Sequence, residues 1–247
     1  MPLKRYLATV SYDGSRYVGW QRQDNGLGIQ QVIEECLFSI LKENITIVAS
    51  GRTDALVHAY DQKFHFDIMH YISPNNLVLA LNSKLPDDIY IVSIIQVAND
   101  FHARFNCVKK TYEYHINNGI YNPMINNYSC YIKNKLDIDK MKQCSKLFIG
   151  EHDFTSFCQN SLATHPIQVR TIYDIDIKQT KDDYIVITYT GNGFLRYMVR
   201  MITAAIVHCG LNKLSLSDIS NIINYKDKEA FKHNMCAKGL YLKKVEY

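Results

Sequence analysis

The order in which hydrophobic periodicities follow one another limits this chain more than any single residue does. Tyr6 to Tyr12 alternates as a strand and stops at Asp13-Gly14, a turn pair; Ile29, Val32, Ile33, Cys36, Leu37, Ile40 and Leu41 then recur at helical spacing. Two further strands follow, Ile45 to Ala49 and Gln62 to Ile68, the latter with Phe64, Phe66 and Ile68 at period two. Ser73-Pro74 stands in the N-cap and first-turn positions of a helix, Leu77, Leu81 and Leu85 share one of its faces, and Pro86-Asp87 closes it before the strand Ile89 to Val97. The first hundred residues therefore read β-α-β-β-α-β.

After Asp100 the same order recurs without visible residue identity. A strand is expected from Arg104 to Ile116, a helix from Asp139 to Phe148 ended by Gly150, strands over Val169 to Ile177 and Tyr184 to Thr190, a helix from Leu195 to Cys209, a short helix near Ser217 to Ile223 and a last strand from Leu240 to Val245. The expected fold class is α+β: two ferredoxin-like β-α-β-β-α-β halves, residues 1–100 and 101–247, each with an antiparallel sheet and its helices on one face. The other sheet face is left to pair across the halves or to meet a ligand.

A length of 247 residues with 47% hydrophobic and 21% charged side chains suits one large core or two half-size ones. The apolar run Met201 to Val207 is too short to span a bilayer, and no signal-type segment follows Lys4-Arg5, so no membrane partner and a cytoplasmic location are expected. Seven cysteines lack any C-x-x-C or C-x-H spacing, which predicts reduced thiols, no zinc and no other metal. A formal charge of +4 permits an acidic partner such as nucleic acid without demanding one.

The chemistry is expected in Gly51-Arg52-Thr53-Asp54-Ala55-Leu56-Val57-His58-Ala59, a polar, glycine-opened turn between two strands. Flanking strands hold such a side chain in place while the turn leaves it reachable. A lone turn aspartate is ordinarily a backbone cap, so Asp54 needs its context to be read as a catalyst. Arg200 adjoins the apolar helix positions Met198, Met201, Ile202 and Ala205, where an arginine either snorkels or pairs. Tyr112 and Tyr114 would share a sheet face behind Lys109-Lys110, and His58 and His65 read as satisfied sheet-edge histidines.

Taken in order, several stretches resemble the tRNA pseudouridine synthase A family over nearly the whole chain. They are Tyr12-Asp13-Gly14-Ser15-Arg16-Tyr17-Val18-Gly19-Trp20-Gln21-Arg22-Gln23, Gly51-Arg52-Thr53-Asp54 with Val57-His58, Phe101-His102-Ala103-Arg104-Phe105, Tyr112-Glu113-Tyr114, His152-Asp153-Phe154-Thr155-Ser156-Phe157, Phe194 with Met198-Val199-Arg200, and Gly239-Leu240-Tyr241-Leu242. Each is weak alone; seven in order are specific.

The resemblance implies a cofactor-free isomerase that turns uridine into pseudouridine at positions 38, 39 and 40 of the tRNA anticodon stem-loop, acting as a homodimer, with RNA received in a cleft between the halves. It implies Asp54 as the covalent catalyst, Arg200 as its cationic partner, Tyr112 as the ring that stacks on the target base and Arg52 as the arginine that holds the flipped nucleotide out. Whether Asp54 attacks the uracil ring or the sugar, or first removes a ribose proton, stays open. Arg16 and Arg22 are candidates for phosphate contact or for plain surface. One departure stands out: Leu56 occupies a family glycine position, and a left-handed backbone there would strain a leucine by about 1–2 kcal/mol. That substitution opens an alternative, a catalytically impaired tRNA-binding protein of the same fold; a further one is a small-molecule hydrolase using Asp54 with His58.

Overall fold

In the computed structural model the described residues are 3–69, 71–180 and 182–247. In chain order the strands and helices are β1 (Lys4–Tyr12), α1 (Ile29–Leu41), β2 (Val48–Ala49), β3 (His58–Ile68), α2 (Pro74–Asn82), β4 (Ile89–Val97), β5 (Lys109–Asn117), β6 (Cys130–Tyr131), α3 (Ile138–Lys146), β7 (Gly150–Asp153), β8 (Val169–Gln179), β9 (Tyr184–Gly191), α4 (Met198–Gly210), α5 (Leu216–Tyr225) and β10 (Leu240–Glu246). Two compact units result, one of Met1–Val108 with Tyr241–Tyr247, the other of Lys109–Leu240. The α+β class with mostly antiparallel pairing is as expected.

In the first unit β1 lies between β4 and β3, antiparallel to both, and β2 pairs with β3. This is the ferredoxin-like strand order. The register sets Tyr6 beside Phe66 and Ala8 beside Phe64, so the period-two residues meet on one face. Tyr6, Phe64, Phe66 and Trp20 form a chain of ring contacts at 5.8–5.9 Å. Ile29, Ile33 and Leu37 of α1 with Leu77 and Leu81 of α2 complete this core, each fully buried. Ser73 caps α2 through its side chain, as its place before Pro74 predicts.

In the second unit the order is β5-β9-β8-β7, antiparallel throughout, with the two-residue β6 parallel to β5. Ile187 and Tyr189 of β9 and Ile172 of β8 are buried with Met141 and Cys144 of α3 and Ile202, Ala205 and Ile206 of α4. A capping box, Ser215 with Asp218, starts α5.

Four expectations need correction. The strand expected from Arg104 begins only at Lys109, because His102 and Asn106 close a turn, with Asn106 Oδ1 accepting from the His102 N–H at 2.6 Å. The helix expected from Leu195 begins at Met198, since Tyr197 adopts a left-handed conformation just before it. The strand expected from Gln62 begins at His58: His58 and Ala59 pair in parallel with Tyr241 and Leu242 of β10. The last strand, expected to close the second half, thus groups with the first unit, where the Asp61 carboxylate also accepts from the Val245 N–H at 2.9 Å.

Candidate active site

The loop between β2 and β3 is gripped by the segment that follows β1. Gly19 forms an antiparallel bridge with Asp54, the Trp20 N–H donates to Thr53 O at 3.0 Å, and the Leu56 N–H points to Tyr17 O at 3.4 Å. Tyr12 Oη and Thr53 Oγ1 add a buried hydrogen bond of 2.8 Å. Burial pushes the Tyr12 phenol up, so it stays neutral and acts as a brace. Two glycines make such closeness possible. A Cβ on Gly14 would fall 2.1 Å from Val57 O, and one on Gly19, whose φ is +112°, would fall 2.7 Å from Thr53 O.

Gripped in this way, the loop alternates its side chains: Arg52 exposed, Thr53 buried, Asp54 half-buried, Val57 buried. Arg52 and Asp54 are therefore brought together on one turn of the first unit. Leu56 has φ 66°, the left-handed conformation in which a glycine carries no penalty, so the leucine bears the strain. Its side chain projects outward, 44% exposed, and gains little packing to offset that strain.

His58 and His65 are structural. The His58 ring is buried, its Nδ1 accepts from the Gly14 N–H at 3.2 Å and lies 3.1 Å from Asp13 Oδ1, and it stacks on Tyr241 at 4.7 Å. His65 Nδ1 accepts from the Ala103 N–H at 3.1 Å. Burial, aided by Arg5 and His102, brings the His65 pKa down to about 4, so the ring is neutral near pH 7. Arg16 pairs with Asp88 and Arg22 with Glu34, each at 3.1 Å.

Tyr112 and Arg200 lie in the second unit, both against the segment between β9 and α4. Tyr112 sits half-buried on β5 opposite Tyr189 and meets Phe194 edge-to-face at 5.2 Å. Tyr114, two residues on, is fully buried and donates its hydroxyl hydrogen to Cys236 O at 2.7 Å, which makes it a core residue. Arg200, in the first turn of α4, is half-buried; its Nε donates to Met235 O at 2.8 Å while the Met235 N–H donates to Arg200 O at 3.3 Å. The guanidinium lies 4.7 Å from the Tyr197 ring, and that of Arg196 lies 4.9 Å from the same ring.

Tyr197 and Met235 were not among the residues singled out by sequence. A tyrosine with φ 63° leaves no periodic trace, and Met235 acts through its backbone, which any residue would supply. Among the described residues no cluster of three or more His, Cys, Asp or Glu could hold a metal ion, and no helix is long and apolar enough to cross a membrane.

A family model described as tRNA pseudouridine synthase matches residues 8–106 and 144–247. The tRNA pseudouridine synthase A of Listeria monocytogenes serotype 4b (strain CLIP80459) is 40% identical over 248 residues, covering 99% of this chain and 100% of its own length. The protein of the same name from Staphylococcus aureus (strain MSSA476) is 38% identical over 244 residues, covering 98% of this chain and 90% of its own.

Proposed function

This chain belongs to the tRNA pseudouridine synthase family, isomerases that convert uridine to pseudouridine in tRNA, and on that footing we propose that it acts at positions 38, 39 and 40 of the anticodon stem-loop with Asp54 as the nucleophile. In the reaction the C1′–N1 glycosidic bond breaks, a C1′–C5 bond forms, the C5 proton leaves and N1 gains a proton. A carboxylate serves this sequence by holding the detached fragment covalently or by taking a proton. The observation that carries the reading is the loop itself: a half-buried carboxylate held on a turn that three backbone contacts and two close-packed glycines keep in one shape. Such rigidity is worth its strain where a reacting atom has to be aimed.

Tyr112 offers a half-exposed ring, braced at its edge by Phe194, on which a base can stack for roughly 1–3 kcal/mol, comparable with the cost of unstacking one nucleotide. Arg52, exposed on the same turn as Asp54, would hold a flipped nucleotide, and Arg200 would bind the substrate through its guanidinium charge. The enzyme acts without a cofactor, as a homodimer in the cytoplasm. Leu56 takes the left-handed backbone that a glycine would take at this position, which favours turnover over bare tRNA binding.

The test uses tRNA tritiated at uracil C5. Asp54→Asn should lower tritium release by roughly 10⁴-fold or more, the scale on which losing a central catalytic side chain is felt, while tRNA binding survives. An unaltered rate in that variant removes Asp54 from the mechanism. An isolated anticodon stem-loop should serve as substrate, and its rejection would move the target elsewhere on the tRNA.

A further inference from the structure

We propose that Phe105 is a stacking platform for an unpaired nucleobase of the tRNA, with Arg104 beside it for the adjoining phosphate. The inference rests on tRNA as the substrate of this family and not on the roles proposed above for Asp54 or for positions 38, 39 and 40. The turn that carries both residues belongs to the same unit as Asp54.

Phe105 is 77% exposed. Single exposed apolar side chains are ordinary on protein surfaces; this one differs in being fixed. One face of its ring lies on the His102 ring, with centroids 4.2 Å apart and planes 28° from parallel. The His102 ring in turn meets the buried His65 at 4.8 Å. Three rings thus run from the core of the unit to its surface, and the last of them turns its other face to solvent.

The backbone under the ring is equally constrained. Every main-chain N–H from His102 to Asn106 has a partner: His102 donates to Asn106 Oδ1 at 2.6 Å, Ala103 to His65 Nδ1 at 3.1 Å, Arg104 and Phe105 to His102 Nδ1 at 3.1 and 3.3 Å, and Asn106 to His102 O at 3.0 Å. The Tyr247 hydroxyl adds a bond to Ala103 O at 2.8 Å. A ring held in this way gives up little freedom when a base settles on it, and a base of any identity has a face to offer. Beside it in the turn, Arg104 and Asn106 are exposed and polar, which suits a nucleotide better than an apolar protein partner. A guanidinium at Arg104 can take the phosphate.

Binding of full-length tRNA and of the isolated anticodon stem-loop to the full-length protein is measured by filter retention, with KM and kcat from tritium release. Phe105→Ala and Phe105→Leu should each weaken tRNA binding about tenfold, which is about 1.4 kcal/mol and within the range of a base stacked on an aromatic. KM should rise with it while kcat holds. Phe105→Trp keeps a flat ring and should restore both. Arg104→Ala should reduce the slope of log affinity against log salt by about one, and ultraviolet irradiation should link tRNA to the peptide that carries Phe105. A loss seen with the stem-loop places the base in the anticodon arm, and a loss confined to full-length tRNA places it in another single-stranded part; either supports the platform. Unchanged affinity in Phe105→Ala overturns the proposal, as does a loss in Phe105→Trp equal to that in Phe105→Ala. A binding loss accompanied by an earlier urea midpoint in Trp20 fluorescence would make the ring part of the fold instead, and a changed oligomeric state with tRNA affinity intact would make it a protein contact. Should Asp54→Asn leave tritium release unaltered, the mechanism proposed above falls while this binding test stands.

Discussion

The loop that carries Asp54 and the turn that carries Arg200 are held by different materials. Around Asp54 the constraints are backbone: Gly14 and Gly19 admit main-chain atoms where a Cβ would fall 2.1 and 2.7 Å away, and Trp20 and Leu56 tie their N–H groups to Thr53 and Tyr17. Around Arg200 they are largely side chain: the Tyr197 ring at 4.7 Å and the Nε–Met235 hydrogen bond at 2.8 Å. Each region also spends a left-handed residue that is not glycine, Leu56 at φ 66° and Tyr197 at φ 63°. The difference matches the work proposed for each. A nucleophile has to be placed to within a fraction of an ångström, which a short main-chain turn can do, whereas a guanidinium supplies charge and donors and tolerates a softer mounting.

The sharpest way to break this comparison is Gly14→Ala. Its new methyl meets Val57 O, a backbone atom that cannot swing aside, so a loss of about 3 kcal/mol or more is expected, at the upper end of overpacking. The chain's single tryptophan, Trp20, is buried beside the loop, so the loss is read as an earlier urea midpoint in its fluorescence. A cost under about 1 kcal/mol would mean that the loop slides freely and that the backbone grip is illusory.

Acid should loosen the first unit next. Folding lowers the His65 pKa to about 4, below an unfolded value of about 6.5. Between those values the unfolded chain binds more protons, so the stability contributed by the neutral ring is complete above pH 6.5, declines as pH falls, and is exhausted near 4. Asp67, held low by its hydrogen bond to Arg5, adds a loss further down as pH falls through its depressed folded value. His65→Asn keeps an acceptor for the Ala103 N–H without a titrating ring, and the Trp20 midpoint should then flatten across pH 4 to 6.5; an unflattened profile assigns the acid loss to other groups.

A smaller effect is expected at the softer mounting. Tyr197→Leu removes two cation–ring contacts worth about 0.5–1 kcal/mol each, and Tyr197→Phe keeps both. Leucine should therefore raise KM for tRNA and cost up to about 1–2 kcal/mol of stability, and phenylalanine should restore KM; equal KM in the two variants would show that the ring does not position Arg200. The smallest effect is a gain. Leu56→Gly relieves about 1–2 kcal/mol of left-handed strain and returns about 0.5–1 kcal/mol of chain entropy to the unfolded state, for a net stabilisation near 0.5–1 kcal/mol. A destabilised Leu56→Gly would contradict the strain at this turn.

Much of this was legible before any coordinates. The period-two runs gave β1, the second half of β3 and β4, and Ser73-Pro74 gave the start of α2; the left-handed turn at Leu56 was raised only by the resemblance, through the glycine that the family has there. The strands and the cap depend on residues two to four positions apart, whose side chains share a face or cap a local turn, so sequence alone determines them. Others were invisible because their causes lie far along the chain. His58 and Ala59 become strand only because β10 runs beside them, and Asp61 finds the Val245 N–H across 184 positions. Tyr114 reaches the Cys236 carbonyl, and Met235 comes to hold Arg200, through backbone paths that no spacing rule records. Local periodicity thus determined the elements, and the polar, glycine-opened stretch between two of them the turn that bears the carboxylate; tertiary packing alone decided which distant groups brace them, since a contact costing a long loop its freedom is repaid only once the whole core has formed.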